Sequence, residues 1–233
     1  IIGHETFPLD SNRFGYLPLA IQKFIKTDNM DCQISVTNSK LKPDYKCLVR
    51  HGVETHKTQS FVACISDIIG RSNNKTPLSI IDMKKIFIKA MNLDIFMSLQ
   101  NGNLIDLFYK EDTNENDINL EEYKDTEIYK FVFKTKDEEK NKFLKNLCVS
   151  YNKFILYLKD DKVEINYTYL WDLICRPNSE LFPKGINMAI LEISNDDITN
   201  NVNILCPSNH YSSTLYDSYK KTIIIIKNGN YYE

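Results

Sequence analysis

The stretch KTIIIIKNGNYYE, residues 221–233, contains the most strongly marked strand of the chain. Four consecutive isoleucines are typical of a buried β-strand, and the Asn-Gly-Asn that follows is typical of a tight turn. Only three residues come after this turn, so we expect that a returning strand has no room to form. The other end begins without a methionine and without a signal-peptide pattern. Both ends therefore predict a segment of a longer polypeptide, with the remainder of that polypeptide among its partners.

Further strand candidates lie between residue 160 and this stretch. They are KVEINYT (162–168), NMAILEIS (187–194) and VNILCP (202–207), and each is bounded by residues that favour turns. The segment YLWDLIC (169–175) predicts a helical turn between the first two. These candidates predict a β-sheet formed mainly by the C-terminal third of the chain.

Before residue 160, apolar residues recur mainly at helical spacing. The best-marked helix spans 58–70, where Thr58 or Ser60 can cap the start and Gly70 can end the helix. The longest pattern spans 78–100 and predicts one continuous helix. The predicted helices are 17–25, 58–70, 78–100 and 136–158, with a short strand at CQISVTN (32–38) and an acidic exposed loop at 111–127.

Together these patterns predict an α+β fold in which a helical first half packs on a mixed β-sheet. We expect one composite module over residues 1–233, helical over about 1–159 and strand-rich over about 160–233. A degenerate restriction-nuclease-like scaffold is one version of this fold.

Composition excludes several classes of protein. The chain has 233 residues, 42% of them hydrophobic, which is enough for a sizeable core. It has no apolar run of the length that spans a membrane. Six cysteines are scattered without a CxxC pair in a chain too large to need disulfides, and this predicts reduced thiols in a cytosolic compartment.

The charge distribution suggests a contact surface in the first part of the chain. The formal net charge of -2 argues against a free-standing nucleic-acid binder, but residues 1–100 carry 13 Lys+Arg against 9 Asp+Glu. A basic loop precedes the helix at 58–70, and helix N-termini suit phosphate oxygens, although this loop could also be only a helix cap. The predicted DNA-binding residues are Arg50, His51, Lys57, Lys84, Lys85 and Lys89.

Two catalytic or metal-binding alternatives come from residue spacing. The series Cys47, His51, His56 and Cys64 has zinc-ligand chemistry but no standard finger spacing, and a buried Cys64 is favoured over a ligand. Asp172 and Glu192 are spaced like the acids of restriction-type nucleases, which bind magnesium through oxygen ligands on adjacent strands.

A restriction-type nuclease also needs a cation near its acids, and Ser194 stands where such enzymes carry lysine. An active or inactive nuclease-like domain is therefore the alternative function. The chain has neither of the familiar glycine-rich phosphate loops, and we predict no metal and no cofactor.

Four stretches carry a family resemblance. RFGYLPLAIQKFI (13–25), LVRHGVETHKTQSFVACISDII (48–69), LWDLICRPNSELFPKGINMAILEI (170–193) and the closing NGNYYE resemble the large-subunit viral early transcription factor-like proteins of nucleocytoplasmic large DNA viruses. The similarity covers most of the chain.

This resemblance implies a much longer protein that pairs with a small-subunit ATPase, recognises double-stranded early-promoter DNA and recruits the viral RNA polymerase. It implies a location in the virion core and in the virus factory of the host cytoplasm. The chain would be a non-catalytic module in transcription initiation, because the family has no catalytic motif in these stretches. No active-site residue is implied.

Overall fold

The chain folds as α+β, as the sequence predicts. A computed structural model describes residues 1–109, 118–135, 137–194, 199–210 and 214–233. The chain divides into two compact units. The strand-rich unit comprises 1–80, 188–206 and 222–233, and the helical unit comprises 81–187 and 207–221. Segments from both ends of the sequence belong to the strand-rich unit, and the single composite module over residues 1–233 stays a prediction.

Helices occupy most of the middle of the chain. They are α1 (Leu19–Ile25), α2 (Ser60–Ser72), α3 (Ile80–Lys89), α4 (Leu93–Ser98), α5 (Asn103–Phe108), α6 (Glu127–Thr135), α7 (Glu138–Lys159) and α8 (Tyr167–Cys175). Within the described ranges, no helix combines the length and the hydrophobicity that crossing a membrane requires.

The strands form two small ribbons and one larger sheet. They are β1 (Phe14–Tyr16), β2 (Gln33–Ser35), β3 (Asn38–Leu41), β4 (Val49–His51), β5 (Ile186–Ile193), β6 (Asn203–Leu205), β7 (Lys221–Asn228) and β8 (Tyr231–Tyr232). β1 pairs with β4 and β2 pairs with β3, both antiparallel. The larger sheet has the order β6-β5-β7-β8 and lies in the strand-rich unit apart from the first residues of β5 and β7.

The closing hairpin corrects the first prediction, because the returning strand does form. β8 pairs antiparallel with β7, and Tyr232 lies opposite Lys227. Gly229 makes the tight turn with a φ of +57°, which favours glycine. The N–H of Glu233 then donates to the carbonyl of Ile226 at 3.0 Å, and the Ile226 N–H donates back at 2.9 Å. The two residues of β8 and the backbone hydrogen bonds between Glu233 and Ile226 are enough to form this strand. The side chain of Glu233 adds buried contacts of its own.

The core of the strand-rich unit lies between α1 and the four-stranded sheet. Ile21 of α1 belongs to the same buried cluster as Leu191 of β5 and Ile226 of β7. Residues 61–65 of α2 are all buried, so this helix is enclosed on every side in its first half. The Phe61 ring meets the ring of Tyr232 edge-on at 5.4 Å between centroids. The last strand of the chain is thus fixed against α2.

The core of the helical unit is built on aromatic rings. Phe154 of α7 is fully buried, and its ring centroid lies 5.3 Å from that of Phe96 on α4 and 5.0 Å from that of Phe108 on α5. Phe108 also contacts the rings of Tyr157 and Tyr169 at 5.5 Å each. These contacts join α4, α5, α7 and α8.

Several predicted helix boundaries are wrong. The segment 78–100 forms two helices rather than one, because the Asn92 side chain accepts the Ile95 N–H at 2.9 Å and starts α4 as a new helix. α2 begins after Gln59, which makes no side-chain cap hydrogen bond, and it continues past Gly70 to Ser72.

Other predicted elements differ from the structure as well. The segment 162–168 is not a strand, because Asn166 caps α8 by accepting the Thr168 N–H at 2.8 Å. Residues 111–117 of the predicted acidic loop lie outside the described residues. The sequence did not predict α5, α6, β1, β3, β4 or β8, whereas it predicted β5, β6, β7 and α8 close to their observed positions.

The prediction of six reduced cysteines is wrong for two of them. Cys32 and Cys47 form a disulfide with a Cα–Cα separation of 5.8 Å. The two cysteines are 15 residues apart in the sequence, and the antiparallel β2–β3 ribbon between them reverses the chain direction. Cys64, Cys148, Cys175 and Cys206 are free. The thiol-based argument for a cytosolic compartment therefore no longer stands, and Cys47 cannot serve as a zinc ligand in this state.

Candidate functional site

Arg50, the first of the predicted contact residues, lies inside the strand-rich unit with 1% of its side chain exposed. Its Nη1 forms an ion pair with the carboxylate of Glu233. Its Nε donates to the carbonyl of Tyr16 at 2.6 Å, and its Nη2 donates to the carbonyls of Gly3 at 3.1 Å and Thr6 at 2.6 Å. This placement corrects the expectation of an exposed Arg50. Its guanidinium pairs with Glu233 and donates to three backbone carbonyls of the strand-rich unit.

Glu233 completes this buried ion pair. One carboxylate oxygen meets Arg50, and the other accepts the backbone N–H of Leu9 at 2.9 Å. The Glu233 side chain is also 1% exposed. Burial raises the pKa of Glu233, although Arg50 and the Leu9 N–H both act to lower it. Sequence reasoning missed this residue because 183 positions separate it from Arg50, and no local pattern signals such a contact.

His51 belongs to a second polar cluster, with Asp67 and Arg71 of α2. Its Nδ1 lies 3.2 Å from Asp67 Oδ2, and its Nε2 lies 2.5 Å from Arg71 Nη2. Arg71 also donates from Nε to Asp67 Oδ2 at 2.7 Å. Because arginine can only donate, His51 must accept at Nε2 and carry its proton on Nδ1. Burial lowers the pKa of His51, and Arg71 lowers it further against the opposing effect of Asp67.

The predicted lysines fall into two groups. Lys84 is buried, and its Nζ donates to Asp161 Oδ1 at 2.6 Å, so the expectation of an exposed Lys84 is wrong. Lys57 is exposed. Lys85 and Lys89 are also exposed, and they form surface ion pairs with Asp82 at 2.7 Å and with Glu180 at 2.9 Å.

The N-terminus of α2 is not an open phosphate site. The Ser60 hydroxyl accepts the N–H of Tyr232 at 3.0 Å, and its oxygen lies 3.5 Å from the Asn230 carbonyl. Strand β8 therefore covers the first residue of the helix. The expectation that this helix end accepts a phosphate is corrected, and the preceding loop fits the alternative of a local structural role.

The two acids of the nuclease alternative each have a partner inside their own unit. Asp172 is buried and accepts the backbone N–H of Gln100 at 2.7 Å. Glu192 forms an ion pair with Lys227 of β7. Across the part of the chain that the structure describes, no group of three or more His, Cys, Asp or Glu side chains could hold a metal ion. The nuclease alternative stays a prediction.

A cavity of about 260 Å³ lies in the strand-rich unit beside Arg50. Its wall is mostly apolar and includes Ile21 of α1, Val49 of β4, Cys64 of α2 and Ile225 of β7. The wall also includes Leu48 and Ile224, each 62% exposed, so the cavity reaches solvent at these residues. Neither the cavity nor its lining follows a sequence motif, because distant segments of the chain enclose it.

The free energy that an empty cavity of this volume would cost can be compared with the free energy of unfolding of a native domain. At about 24 cal/mol for each Å³ left empty, a closed cavity of 260 Å³ would cost about 6 kcal/mol. Native domains are stable by only about 5–15 kcal/mol. That figure is an upper bound here, because the cavity opens to solvent, and a molecule that binds the native state in it would stabilise the protein by mass action.

Comparisons with known proteins add no relative. The chain matches no protein-family model, no curated protein and no solved structure. The resemblance to viral early transcription factor-like proteins therefore remains a prediction. Function has to be inferred from the contacts, burial and charges of the described residues together with that resemblance.

The buried ion pair predicts a large loss of stability when one partner is neutralised. Glu233→Gln keeps the side-chain shape but leaves the Arg50 charge buried without its counter-ion. We expect a loss of about 3–5 kcal/mol in the free energy of unfolding, measured by urea denaturation. The control Asp82→Asn removes the exposed ion pair with Lys85 and should cost less than about 1 kcal/mol. Equal small losses in both variants would contradict the structural role of Glu233.

His51 predicts a pH dependence of stability. Because its pKa is lower in the native state than its ordinary value of 6.5, the unfolded chain binds this proton first as the pH falls. The stability contributed by neutral His51 is therefore present above about pH 6.5 and is lost as the pH falls through the native pKa. We expect the free energy of unfolding to decrease more steeply between about pH 7 and 5 in the wild type than in His51→Gln. Parallel pH profiles would rule out this contribution.

Proposed function

We propose that this chain is a non-catalytic module of a viral early transcription initiation factor and that it contributes contacts to promoter DNA and to the viral RNA polymerase. A small-subunit ATPase and the remainder of its own polypeptide would be its other partners. The virion core and the virus factory in the host cytoplasm would be its location.

One observation carries this proposal: three of the four stretches that resemble the family meet at the Arg50–Glu233 ion pair. The stretch 13–25 supplies the carbonyl of Tyr16, the stretch 48–69 supplies Arg50, and the closing stretch supplies Glu233. The fourth stretch supplies Leu191, which packs in the same cluster as Ile21. Each of the four stretches thus contributes at least one interior contact, which supports a shared fold whose function lies on its exterior.

The buried polar groups support a binding role rather than catalysis. Both nitrogens of His51 are engaged, by Asp67 and by Arg71, so this imidazole has no nitrogen free to act as a general base. Burial raises the pKa of the Cys64 thiol well above its usual value, which disfavours the nucleophilic thiolate. Among the described residues, neither His51 nor Cys64 is therefore in a state suited to act as a general base or as a nucleophile.

DNA contact can still use the predicted lysines that are exposed, taken in each unit by itself. Lys57, Lys85 and Lys89 present their charges to solvent. Surface ion pairs such as those of Lys85 and Lys89 contribute at most about 1 kcal/mol, so a phosphate can replace the carboxylate partner at little cost. With a formal net charge of -2, we expect weak DNA affinity from this module, with the polymerase and the ATPase supplying the remaining contacts.

The DNA contact predicts a strong salt dependence. Binding to double-stranded DNA should weaken with a slope in log K against log salt of about -0.9 for each phosphate contacted. Each of Lys57→Glu, Lys85→Glu and Lys89→Glu should weaken binding to every sequence alike and reduce the slope by about 1. Fluorescence anisotropy over a salt series measures both quantities.

Lys40→Glu and Lys162→Glu are matched controls, because both lysines are exposed and lie outside the predicted surface. They should bind DNA with the wild-type salt slope. Absent or salt-insensitive DNA binding by the wild type would leave only the protein contacts of the proposal. An equal loss in the control variants would show that the predicted lysines have no special role.

A further inference from the structure

We propose that the cavity of the strand-rich unit is a binding site for a small uncharged molecule made mostly of hydrocarbon, either aromatic or aliphatic. This site is separate from the DNA and polymerase contacts proposed above and does not depend on them. The proposal rests on the volume of the cavity, on its apolar wall and on the hydrogen bonds that the few polar groups in that wall already make.

The volume sets the size of the ligand. A cavity of about 150 Å³ lined by apolar side chains stays dry and binds benzene, which has six carbon atoms. By proportion, the 260 Å³ of this cavity would hold about ten carbon atoms. The exposed Leu48 and Ile224 mark where such a molecule can enter.

The charged groups in the wall select a neutral ligand. Arg50 uses Nε, Nη1 and Nη2 on protein oxygens, and both carboxylate oxygens of Glu233 already accept hydrogen bonds. Both nitrogens of His51 are engaged, and Asp67 accepts from His51 and Arg71. A charged ligand would have to leave water without gaining a partner in return, and this is costly.

The remaining wall favours hydrocarbon contact. The Cys64 thiol is buried, and a free cysteine in such a place behaves as a small polarizable hydrophobe that contacts aromatic rings favourably. Most of the other apolar residues in the wall are isoleucines from α1, α2 and β7, namely Ile21, Ile25, Ile68, Ile224, Ile225 and Ile226.

The test compares three probes that share one carbon skeleton. Butylbenzene has ten carbon atoms and no charge, whereas 4-phenylbutyrate and 4-phenylbutylamine have the same skeleton with an anionic or a cationic end. Binding to the whole chain is measured by calorimetric titration and by the midpoint of thermal unfolding. We expect butylbenzene to raise the midpoint saturably and both charged probes to bind at least tenfold more weakly.

Variants locate the binding. Cys64→Leu reduces the volume of the cavity from α2 and should decrease the midpoint shift caused by butylbenzene. Ile68→Phe reduces the volume from a partly exposed position, and it replaces Cys64→Leu in the test if that variant does not fold. Cys206→Leu is the matched control, because Cys206 is exposed and does not line the cavity, and it should bind butylbenzene as the wild type does.

Three results would overturn the proposal. The first is a wild-type protein whose unfolding midpoint does not respond to butylbenzene. The second is equal binding of the neutral and charged probes, which would contradict the neutral-ligand requirement. The third is unchanged butylbenzene binding in a folded Cys64→Leu or Ile68→Phe variant, which would place the molecule elsewhere.

Discussion

The buried ion pair between Arg50 and Glu233 is the contact on which the rest of the strand-rich unit depends. Taking both charges out of water is costly, and only close geometry with further hydrogen bonds offsets the cost. The structure provides these bonds through three backbone carbonyls on Arg50 and the N–H of Leu9 on Glu233. The pair thereby joins the N-terminal segment, β1, β4 and the closing hairpin, which are far apart in the chain.

The elements that the sequence predicted well are those with a local cause. Strand β7 has four consecutive isoleucines, and α7 has apolar residues at helical spacing with Asp137 as its cap, so short windows of sequence suffice. The elements that it missed depend on distant partners. β8 is only two residues long and forms because Glu233 is held by Arg50, and the Cys32–Cys47 disulfide depends on the β2–β3 ribbon.

The candidate site was harder to predict than the fold for the same reason. Arg50 and Lys84 are cations that the sequence predicted on a contact surface, but their acidic partners lie 183 and 77 positions away. Lys57, without such a buried partner, lies on the exterior as predicted. The cavity has no sequence signal at all, because its volume exists only after α1, α2, β4 and β7 have packed. Within the described residues, the charges of the strand-rich interior have partners, and the exposed lysines and the apolar cavity are the candidate places for binding.

Hydrogen exchange of the native wild-type chain tests the central role of the ion pair most directly. Leu9 lies in an irregular segment and Glu233 follows a strand of only two residues, and amides in such places ordinarily exchange by local opening. If the ion pair fixes both segments, these amides should exchange only when the amide of Ile65 in α2 also exchanges, with the same opening free energy. Exchange at Leu9 and Glu233 that is orders of magnitude faster than at Ile65 would contradict the account.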